Sequence, residues 1–384
     1  MKIANVVLND FTRDNRVLKI SKSLVEAGHD VSVVALQGSG LPEHEVHLHQ
    51  FTVNRLNWRT KALPRGMIFG GVKVVEIACR AIWGYRKFDA WHCNDIEAFL
   101  IGIFAKCLNP RLQLVYDCHE FESERNAKSG MERRLVQWLE RRLIRYAQAV
   151  LVVSPSIRKA YVERYTPFGM KPPVLLRNVP HRRVEEISKN SILREKLGLS
   201  EAAFMAIYQG AFTYNRGIEQ LLEMSTSMKD DGIHLVFMGY GLLENEIKSY
   251  AERFDWVHCH PAVPYEEVQE YSSSADIGLV SVKPTCLSYL YCLPNKLFEY
   301  LQAELPVMVN DLPDCRSLLD DYGAGIAVQP DTPEQWREEL RSFKLNMAAV
   351  KGQMAQGLKK AQKELNWEIE SEQLLHVYDA ITPR

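Results

Sequence analysis

The chain begins with a short strand, a polar loop and an amphipathic helix, and the same succession returns near residue 204. Residues 3–8 are apolar and β-branched, residues 9–15 are mostly polar, and the apolar side chains of residues 17–25 are spaced for one buried helical face. Short strands and helical segments continue to alternate up to residue 328. This alternation predicts an α/β fold with two doubly wound, Rossmann-like parallel sheets, each covered by helices.

A length of 384 residues suits two such domains. We predict an N-terminal α/β domain over residues 1–180, a charged helical linker region over 181–200 and a second α/β domain over 201–360. A C-terminal helix over 361–384 is expected to cross back to the first domain. Two facing sheets form a cleft, and ligands of open α/β sheets bind beyond the carboxyl ends of the strands. Functional residues should therefore follow strands.

Charge and cysteine content exclude several classes of protein. The 47 Lys and Arg residues are balanced by 48 Asp and Glu residues, whereas nucleic-acid binders usually carry a basic excess. The apolar runs are shorter than the roughly 20 residues of a membrane span, and the first residues do not resemble a signal peptide, so we expect a cytoplasmic protein. The eight cysteines form no CxxC pair, which favours buried thiols over disulfides or a metal site.

The segment LPNKLFEYL, residues 293–301, is the most informative loop-to-helix junction. Pro294 suits the first turn of a helix, so Asn295 and Lys296 fall where free backbone N–H groups attract an anion. Glu299 lies one turn further on the same face as Asn295, where a carboxylate can accept hydrogen bonds from a ribose diol. A capped surface helix with a solvated lysine explains the pattern equally well.

Two further loops of the second half follow predicted strands. Gly210 allows close approach of the backbone, and Arg216 offers several donors to a phosphate, although a plain surface turn explains the 209–218 segment better. Gly239 and Gly241 fit a tight turn, and the alternative is a ligand close to the backbone. No GxGxxG or GxxxxGK[ST] motif is present.

In the first half, His119 follows a predicted strand that ends near residue 116. Its ordinary pKa lies near neutral pH, which suits proton transfer, but a lone loop histidine is more often a surface residue. Asn94 and Asp95 also follow a strand. They could line the same cleft, and capping of the next helix is the simpler interpretation.

Taken together, these segments resemble the GT-B glycosyltransferases of the retaining family 4 type, over residues 2–378. Residues 293–309, LPNKLFEYLQAELPVMV, are similar to the PxKxFEYxAxGxPVV segment of bacterial members, and residues 208–222 resemble the family's phosphate loop. Further similar segments are 14–35, 116–121, 237–247, 257–280 and 366–370.

The resemblance implies a retaining, metal-independent transferase with no cofactor, whose second domain binds a UDP-, GDP- or dTDP-sugar and whose first domain binds the acceptor. Glu299 would hold the ribose hydroxyls, Arg216 and Lys296 the diphosphate, and the backbone near residues 239–241 and 260–263 the base. His119 would lie at the reaction centre. The implied catalytic residues are His119, Arg216, Lys296 and Glu299. The implied donor-binding residues are Gly210, Asn215, Arg216, Gly239, Gly241, Tyr291, Asn295, Lys296, Leu297 and Glu299. The implied acceptor or closing-loop residues are Asn9, Asp14, Arg16, Asn94, Asp95 and Glu120.

The chain departs from the family pattern at three places. Tyr291 stands where the family has the first of two acids spaced eight apart, and this acid contacts sugar hydroxyls, so a deoxy, amino or otherwise modified donor sugar is one hypothesis. Ala211 stands near an expected Arg or Lys, which leaves Arg216 as the main cation of that loop. Residues 9–14 replace a glycine-rich loop.

Two basic stretches, residues 55–87 and 125–145, lie in the predicted acceptor domain. In the second, arginines alternate with apolar residues at helical spacing, which is typical of a helix on an anionic membrane; an ordinary domain helix explains it somewhat better. A lipid-linked or cell-surface glycan acceptor follows as a hypothesis. The basic residues concerned are Arg55, Arg59, Lys61, Arg65, Lys73, Arg80, Arg86, Lys87, Arg133, Arg134, Arg141, Arg142 and Arg145.

Two other functions remain open from the sequence. A nucleotide-sugar epimerase or a phosphorylase of similar fold would need more acids around the sugar or a Schiff-base lysine, and no clear candidates are found. A non-catalytic nucleotide-sugar-binding protein would explain Tyr291 but not the set of Arg216, Lys296 and Glu299. Turnover of a bound donor distinguishes this alternative from a transferase.

Overall fold

The computed structural model describes residues 1–62, 67–126, 128, 130–182 and 191–382. Arg65 of the first basic stretch and residues 183–190 of the predicted linker lie outside them. The chain forms two compact units, one of residues 1–178 with 370–384 and the other of residues 179–369.

The first unit is built on an eight-stranded sheet with the spatial order β3-β4-β2-β1-β5-β6-β7-β8. Its strands pair in parallel except for the edge strand β3, which is antiparallel to β4. The strands are β1 (Lys2–Val6), β2 (Asp30–Leu36), β3 (His44–Val46), β4 (Thr52–Leu56), β5 (Ala90–Asn94), β6 (Gln113–Cys118), β7 (Ala149–Val152) and β8 (Val174–Leu175).

Five helices connect these strands. The chain moves in one direction along the sheet from β4 to β8, so right-handed crossovers place the last four of these helices on one face. The helices are α1 (Asn15–Glu26), α2 (Met67–Tyr85), α3 (Asp95–Leu108), α4 (Gly130–Leu143) and α5 (Pro155–Tyr165). No helix in the described part of the chain is long and apolar enough to cross a bilayer.

The second unit contains a six-stranded parallel sheet with the order β11-β10-β9-β12-β13-β14. Its strands are β9 (Phe204–Phe212), β10 (Ile233–Gly241), β11 (Val257–Pro261), β12 (Ile277–Val280), β13 (Val307–Asn310) and β14 (Gly325–Val328). Its helices are α6 (Ile192–Lys196), α7 (Ile218–Ser225), α8 (Glu244–Arg253), α9 (Val268–Ser273), α10 (Leu287–Leu290), α11 (Asn295–Gln302), α12 (Pro313–Tyr322), α13 (Pro333–Leu345) and α14 (Met347–Glu364).

The last helix, α15 (Trp367–Ile381), begins in the second unit, and its residues from 370 onward belong to the first. Within the first unit, the buried Tyr378 packs its ring parallel to that of His92 on β5. The hydroxyl of Tyr378 and Nδ1 of His92 are 3.0 Å apart. The C-terminal residues are therefore part of the core that supports β5.

The predicted fold class, two α/β domains with parallel sheets, is confirmed. Two local predictions are wrong, because residues 210–212 and 239–241 belong to β9 and β10 instead of turns. In the charged helical region predicted over 181–200, the described residues form the short helix α6. The hairpin of β3 and β4 was not predicted, because its strands are short and its residues alternate poorly between polar and apolar.

Candidate active site

In both units the sheet order changes direction beside one central strand. β1 lies between β2 and β5, and β9 lies between β10 and β12. The loops that leave such a pair of strands diverge to opposite sides and open a crevice at the carboxyl edge of the sheet. The polar residues singled out in the sequence follow these strands or their neighbours. Each unit therefore presents one candidate crevice.

The loop after β9 is bent into a special backbone conformation and held by the end of β12. Asn215 and Gly217 both have positive φ angles, 63° and 76°. A Cβ on Gly217 would lie 1.8 Å from the carbonyl oxygen of Ser281, so only glycine fits there. The hydroxyl of Ser281 donates to the carbonyl of Arg216 at 2.9 Å. These contacts fix the place at which the Arg216 side chain leaves the loop.

The glycines of β10 are explained by the packing of two strands against each other. A Cβ on Gly239 would lie 1.9 Å from the carbonyl oxygen of Gly210, and one on Gly241 would lie 2.4 Å from that of Phe212. Gly210 itself has a φ of 117° and borders the Lys296 side chain, whose Nζ would be 3.8 Å from an added Cβ. β9, β10 and the start of α11 thus meet at this point.

Lys296 and Arg216 meet here as two cations that both lie on aromatic rings. The Lys296 ammonium is 3.3 Å from the ring centroid of Tyr208, and the Arg216 guanidinium is 4.7 Å from that of Tyr289. Burial and the charge of Arg216 hold the pKa of Lys296 well below its usual value, against the opposing effect of Glu299. The site therefore concentrates positive charge that an anionic ligand would relieve.

Glu299 lies on α11 beside these cations and is held by β9. The side-chain amide of Gln209 donates to its Oε2 at 2.5 Å. One residue further along the helix, the Tyr300 hydroxyl accepts the backbone N–H of Gln209 at 2.9 Å and donates to the carbonyl of Ile207 at 3.1 Å. The carboxylate of Glu299 is therefore fixed in position relative to the strand.

The remaining predicted donor residues surround α11. Asn295 is its first residue and is exposed, Leu297 is buried in the core, and Tyr291 follows α10 as a half-buried residue. Pro294 precedes the helix, as the sequence predicted. The second unit thus brings together Gly210, Arg216, Lys296 and Glu299, while Leu297 contributes packing.

In the first unit, the loop after β1 is stabilised by its own polar side chains. Asp14 caps α1 by accepting the backbone N–H of Val17 at 3.1 Å, and the amide of Asn9 donates to Asp14 at 2.8 Å. Phe11 is buried with a φ of 56° and packs edge-on against Phe51. Asn9 and Asp14 therefore shape the loop and the start of α1.

Arg16 is fully engaged inside the first unit. Its Nε and one terminal nitrogen donate to the two oxygens of Asp117 at 2.9 and 2.7 Å, and the other terminal nitrogen donates to the carbonyl of Leu176 at 3.0 Å. Both side chains of the ion pair are buried. Arg16 positions β6 and β8 against α1, and its guanidinium forms its hydrogen bonds with these protein partners.

His119 follows β6 and lies between two carboxylates. Its Nε2 is 3.6 Å from Asp117 and 3.0 Å from the side-chain oxygen of Asn94, and its Nδ1 is 3.8 Å from Asp95. Burial favours the neutral ring, but the carboxylates of Asp95 and Asp117 outweigh burial and raise the pKa of His119. With a side chain that is 22% exposed, His119 can reach a ligand as a hydrogen-bond donor.

The expectation that Asn94 caps α3 is wrong. Asn94 precedes the helix, but its side chain makes no capping hydrogen bond. Its amide instead donates to Asn5 at 2.7 Å and to the carbonyl of Val6 at 2.9 Å. These two bonds orient its oxygen toward His119, which then donates from Nε2. Asn94 thus selects the tautomer and orientation of the histidine.

Several residues of the first site were missed in the sequence because their partners are far apart along the chain. Asp117 joins Arg16, His92 and His119. Arg125 pairs with Asp95 at 2.7 Å, beside the buried Glu122. The available signal was their position at the end of β6 or in the segment that follows it. Glu120, a predicted site residue, is half-buried next to His119.

We predict that Asp95→Asn lowers the pKa of His119, because one of the two carboxylates that favour the imidazolium is removed. Asparagine tolerates the positive φ of 66° at this position. The measurement is an NMR titration of the histidine ring protons. Glu97→Gln on the same helix is the control and should leave this pKa unchanged. An unchanged or higher pKa in Asp95→Asn would contradict the assignment.

The comparisons with known proteins divide the chain in the same way as its two sheets. A family model described as a glycosyl transferase 4-like domain matches residues 14–170, and one described as glycosyl transferases group 1 matches residues 203–344. An uncharacterized glycosyltransferase of Methanocaldococcus jannaschii is 22% identical over 324 residues, which cover 82% of this chain and 80% of the relative. The putative glycosyltransferase EpsD of Bacillus subtilis is 23% identical over 254 residues, 63% of this chain and 64% of the relative.

Solved structures share this fold over nearly the whole chain. Sucrose-phosphate synthase from Thermosynechococcus elongatus superposes with a TM-score of 0.78 at 16% identity and covers 99% of each chain. The Anabaena protein HepE, solved in complex with UDP-glucose, superposes with a TM-score of 0.76 at 14% identity and covers 99% of this chain and 100% of its own.

Proposed function

The chain belongs to the GT-B glycosyltransferases, and we propose that it is a retaining enzyme that needs no metal ion and takes its sugar from a nucleoside-diphosphate donor. The observation that carries this proposal is the meeting of Arg216, Lys296 and Glu299 at one edge of the second sheet. Two cations and a carboxylate there are complementary to a diphosphate and to the hydroxyls of a ribose.

The two cations would stabilise the negative charge that develops during the reaction. As the bond between sugar and phosphate breaks, negative charge grows on the leaving diphosphate, and fixed positive groups stabilise that charge. Lys296 and Arg216 are held half-buried on aromatic rings, and the first turn of α11 adds backbone N–H groups. This arrangement supports a reaction without a divalent cation. Asn215, Asn295 and the backbone near residues 239–241 would complete the donor site.

The first unit would supply the residues that meet the transferred sugar and the acceptor. His119 is the candidate at the reaction centre, because its ring carries a raised pKa and an exposed edge. Asn94 and Asp95 orient it, and Asn9 and Asp14 shape the loop after β1. In the retaining reaction, the leaving phosphate would assist removal of the proton from the acceptor hydroxyl.

A screen of UDP-, GDP- and dTDP-sugars in the presence of EDTA tests the proposal. UDP-glucose is the first donor because the similar Anabaena protein was solved with it, and deoxy and amino sugars follow because Tyr291 stands in place of an acid. A bound donor at a hundredfold excess over its Kd should stabilise the protein by about 2.7 kcal/mol and release nucleoside diphosphate slowly. A strict metal requirement, or binding without any turnover, would contradict the proposal.

We further propose that the acceptor is presented at an anionic membrane, as a lipid-linked or cell-surface glycan precursor. Helix α4 buries Val136 and Glu140 and exposes the apolar side chains of Met131, Leu135 and Trp138 by 76%, 53% and 54%. Arginines flank this apolar face, which is typical of helices that lie on lipid. These arginines are Arg134, Arg141, Arg142 and Arg145.

Vesicle binding tests the membrane proposal. The protein should bind phosphatidylglycerol vesicles at low salt and dissociate at high salt. The double variant Leu135→Asn and Trp138→Gln should bind at least about tenfold more weakly, because apolar surface no longer enters the lipid. Leu345→Asn, at an even more exposed apolar position of the second unit, is the control. Equal binding of all three proteins, or no binding at all, would contradict the proposal.

A further inference from the structure

A side-chain hydrogen bond that the sequence did not single out connects Glu299 to the sheet. Gln209, near the end of β9, is only 3% exposed, and its amide nitrogen lies 2.5 Å from Glu299 Oε2. The neighbouring backbone contacts through the Tyr300 hydroxyl keep β9 and α11 at a fixed separation. The amide of Gln209 therefore reaches the carboxylate from a rigid strand.

A glutamate on a helix surface has three rotatable side-chain bonds, and ordering them costs free energy that a ligand must otherwise supply. A hydrogen bond from a buried amide to one carboxylate oxygen restricts these bonds before the ligand arrives. Because an amide donor is neutral, it keeps the negative charge of Glu299 available. An apolar residue here would remove this restraint on the carboxylate.

We propose that Gln209 is a positioning residue that orients the Glu299 carboxylate toward the ribose hydroxyls of the donor and so sets how strongly the site prefers a ribonucleotide. This inference rests on the proposed function, which assigns the ribose to Glu299. Gln209 acts through Glu299 and needs no contact with the nucleotide. Substitution of Gln209 should therefore change the affinity only for ligands that carry ribose hydroxyls.

The experiment measures the Kd values of the ribonucleotides UDP and GDP by calorimetry and compares the tighter of the two with its 2′,3′-dideoxy counterpart, which lacks the ribose hydroxyls. Wild-type protein should prefer the hydroxylated ligand by roughly 10- to 100-fold, the range of hydrogen bonds to a charged group. Gln209→Met should lose most of this preference and bind the hydroxyl-free ligand as wild type does. Gln335→Met removes a similar bond, to Glu339 on α13, and is the matched control.

Gln209→Glu adds a second readout. Two carboxyl groups at this distance share a proton, and the protonated one can donate to its partner as the amide does. The variant should therefore resemble wild type at low pH and Gln209→Met at high pH, a pH profile that a purely structural role would not give.

An unchanged ligand preference in Gln209→Met overturns the inference. An equal increase in the Kd values of both ligands also overturns the inference, because it indicates general damage to the site. Loss of the preference in Glu299→Gln but not in Gln209→Met overturns the inference and leaves the proposed function intact. Failure of wild-type protein to bind either ribonucleoside diphosphate, or to prefer it over its dideoxy counterpart, overturns the proposed ribose site itself.

Discussion

Replacing Lys296 by methionine should reduce kcat/KM by about 100- to 1000-fold, the usual loss when one preorganised electrostatic group is removed from an active site, without lowering the melting temperature. Methionine matches the length of the lysine stem and can lie on the same ring of Tyr208. What it removes is a charge that the folded protein holds in a desolvated place beside Arg216. We therefore expect unchanged or higher stability together with almost no turnover.

The pH dependence of stability supports the same interpretation. The pKa of Lys296 is lower in the folded protein than in the unfolded chain, so the unfolded chain binds more protons in the interval between the two values. The contribution of this group to stability then increases as the pH rises through that interval. In Lys296→Met this contribution disappears. Donor binding should in turn favour the protonated lysine, so affinity for the diphosphate should fall as the pH rises.

The measurements are steady-state kinetics with the donor found in the screen, and thermal unfolding with and without that donor. Lys248→Met is the matched control, because Lys248 is exposed on α8 and pairs with the neighbouring Glu244 at 2.7 Å. It should keep both activity and stability. A Lys296→Met protein that retains activity would refute the proposed role of this lysine, and a strongly destabilised one would show that the lysine serves folding.

The sequence was sufficient for the architecture because the alternation of strand, loop and helix is a local pattern. The start of β9 near residue 204 and the end of β14 at residue 328 were predicted, and the bounds of β1 were predicted to within two residues. The same local reasoning was wrong where a distant backbone decides the conformation. Gly239 resembles a turn residue in sequence, but it is required because the carbonyl of Gly210 approaches it across the sheet.

The residues of the candidate site likewise differ in how far they could be predicted from local sequence. Arg216, Lys296 and Glu299 were found because their residue types and spacing have chemical meaning on a helix or loop. Their positioning partners were not, because Gln209 and Glu299 are 90 positions apart and neither residue alone indicates the contact. Asn94 was assigned to the wrong task for a similar reason: its true partners are on β1 and after β6.

Arg16 is the site residue whose loss should most affect stability, because its guanidinium is paired with Asp117 inside the first unit. Arg16→Met leaves a buried carboxylate without its main partner, which typically costs about 3–5 kcal/mol. His92 and His119 remain near Asp117 and reduce this free-energy cost. We therefore expect a clear decrease in the free energy of unfolding, measured by urea denaturation of the full chain. The exposed pair of Arg80 with Glu76 provides the control, since Arg80→Met should cost less than about 1 kcal/mol.

The pH dependence of the free energy of unfolding distinguishes the charge interaction of this ion pair from the packing of its side chains. Burial alone would raise the pKa of Asp117, but Arg16 outweighs it and holds that pKa well below the usual value. The pair therefore stabilises the fold fully above the unfolded pKa, and this stabilisation is lost as the pH falls through the folded pKa. The difference in free energy of unfolding between wild type and Arg16→Met should accordingly become smaller as the pH falls.

Adding Asp117→Leu to Arg16→Met removes the unpaired charge and should recover part of the lost stability. A double variant as unstable as the sum of the single variants would refute the argument, because the cost would then reside in packing rather than in the unpaired charge.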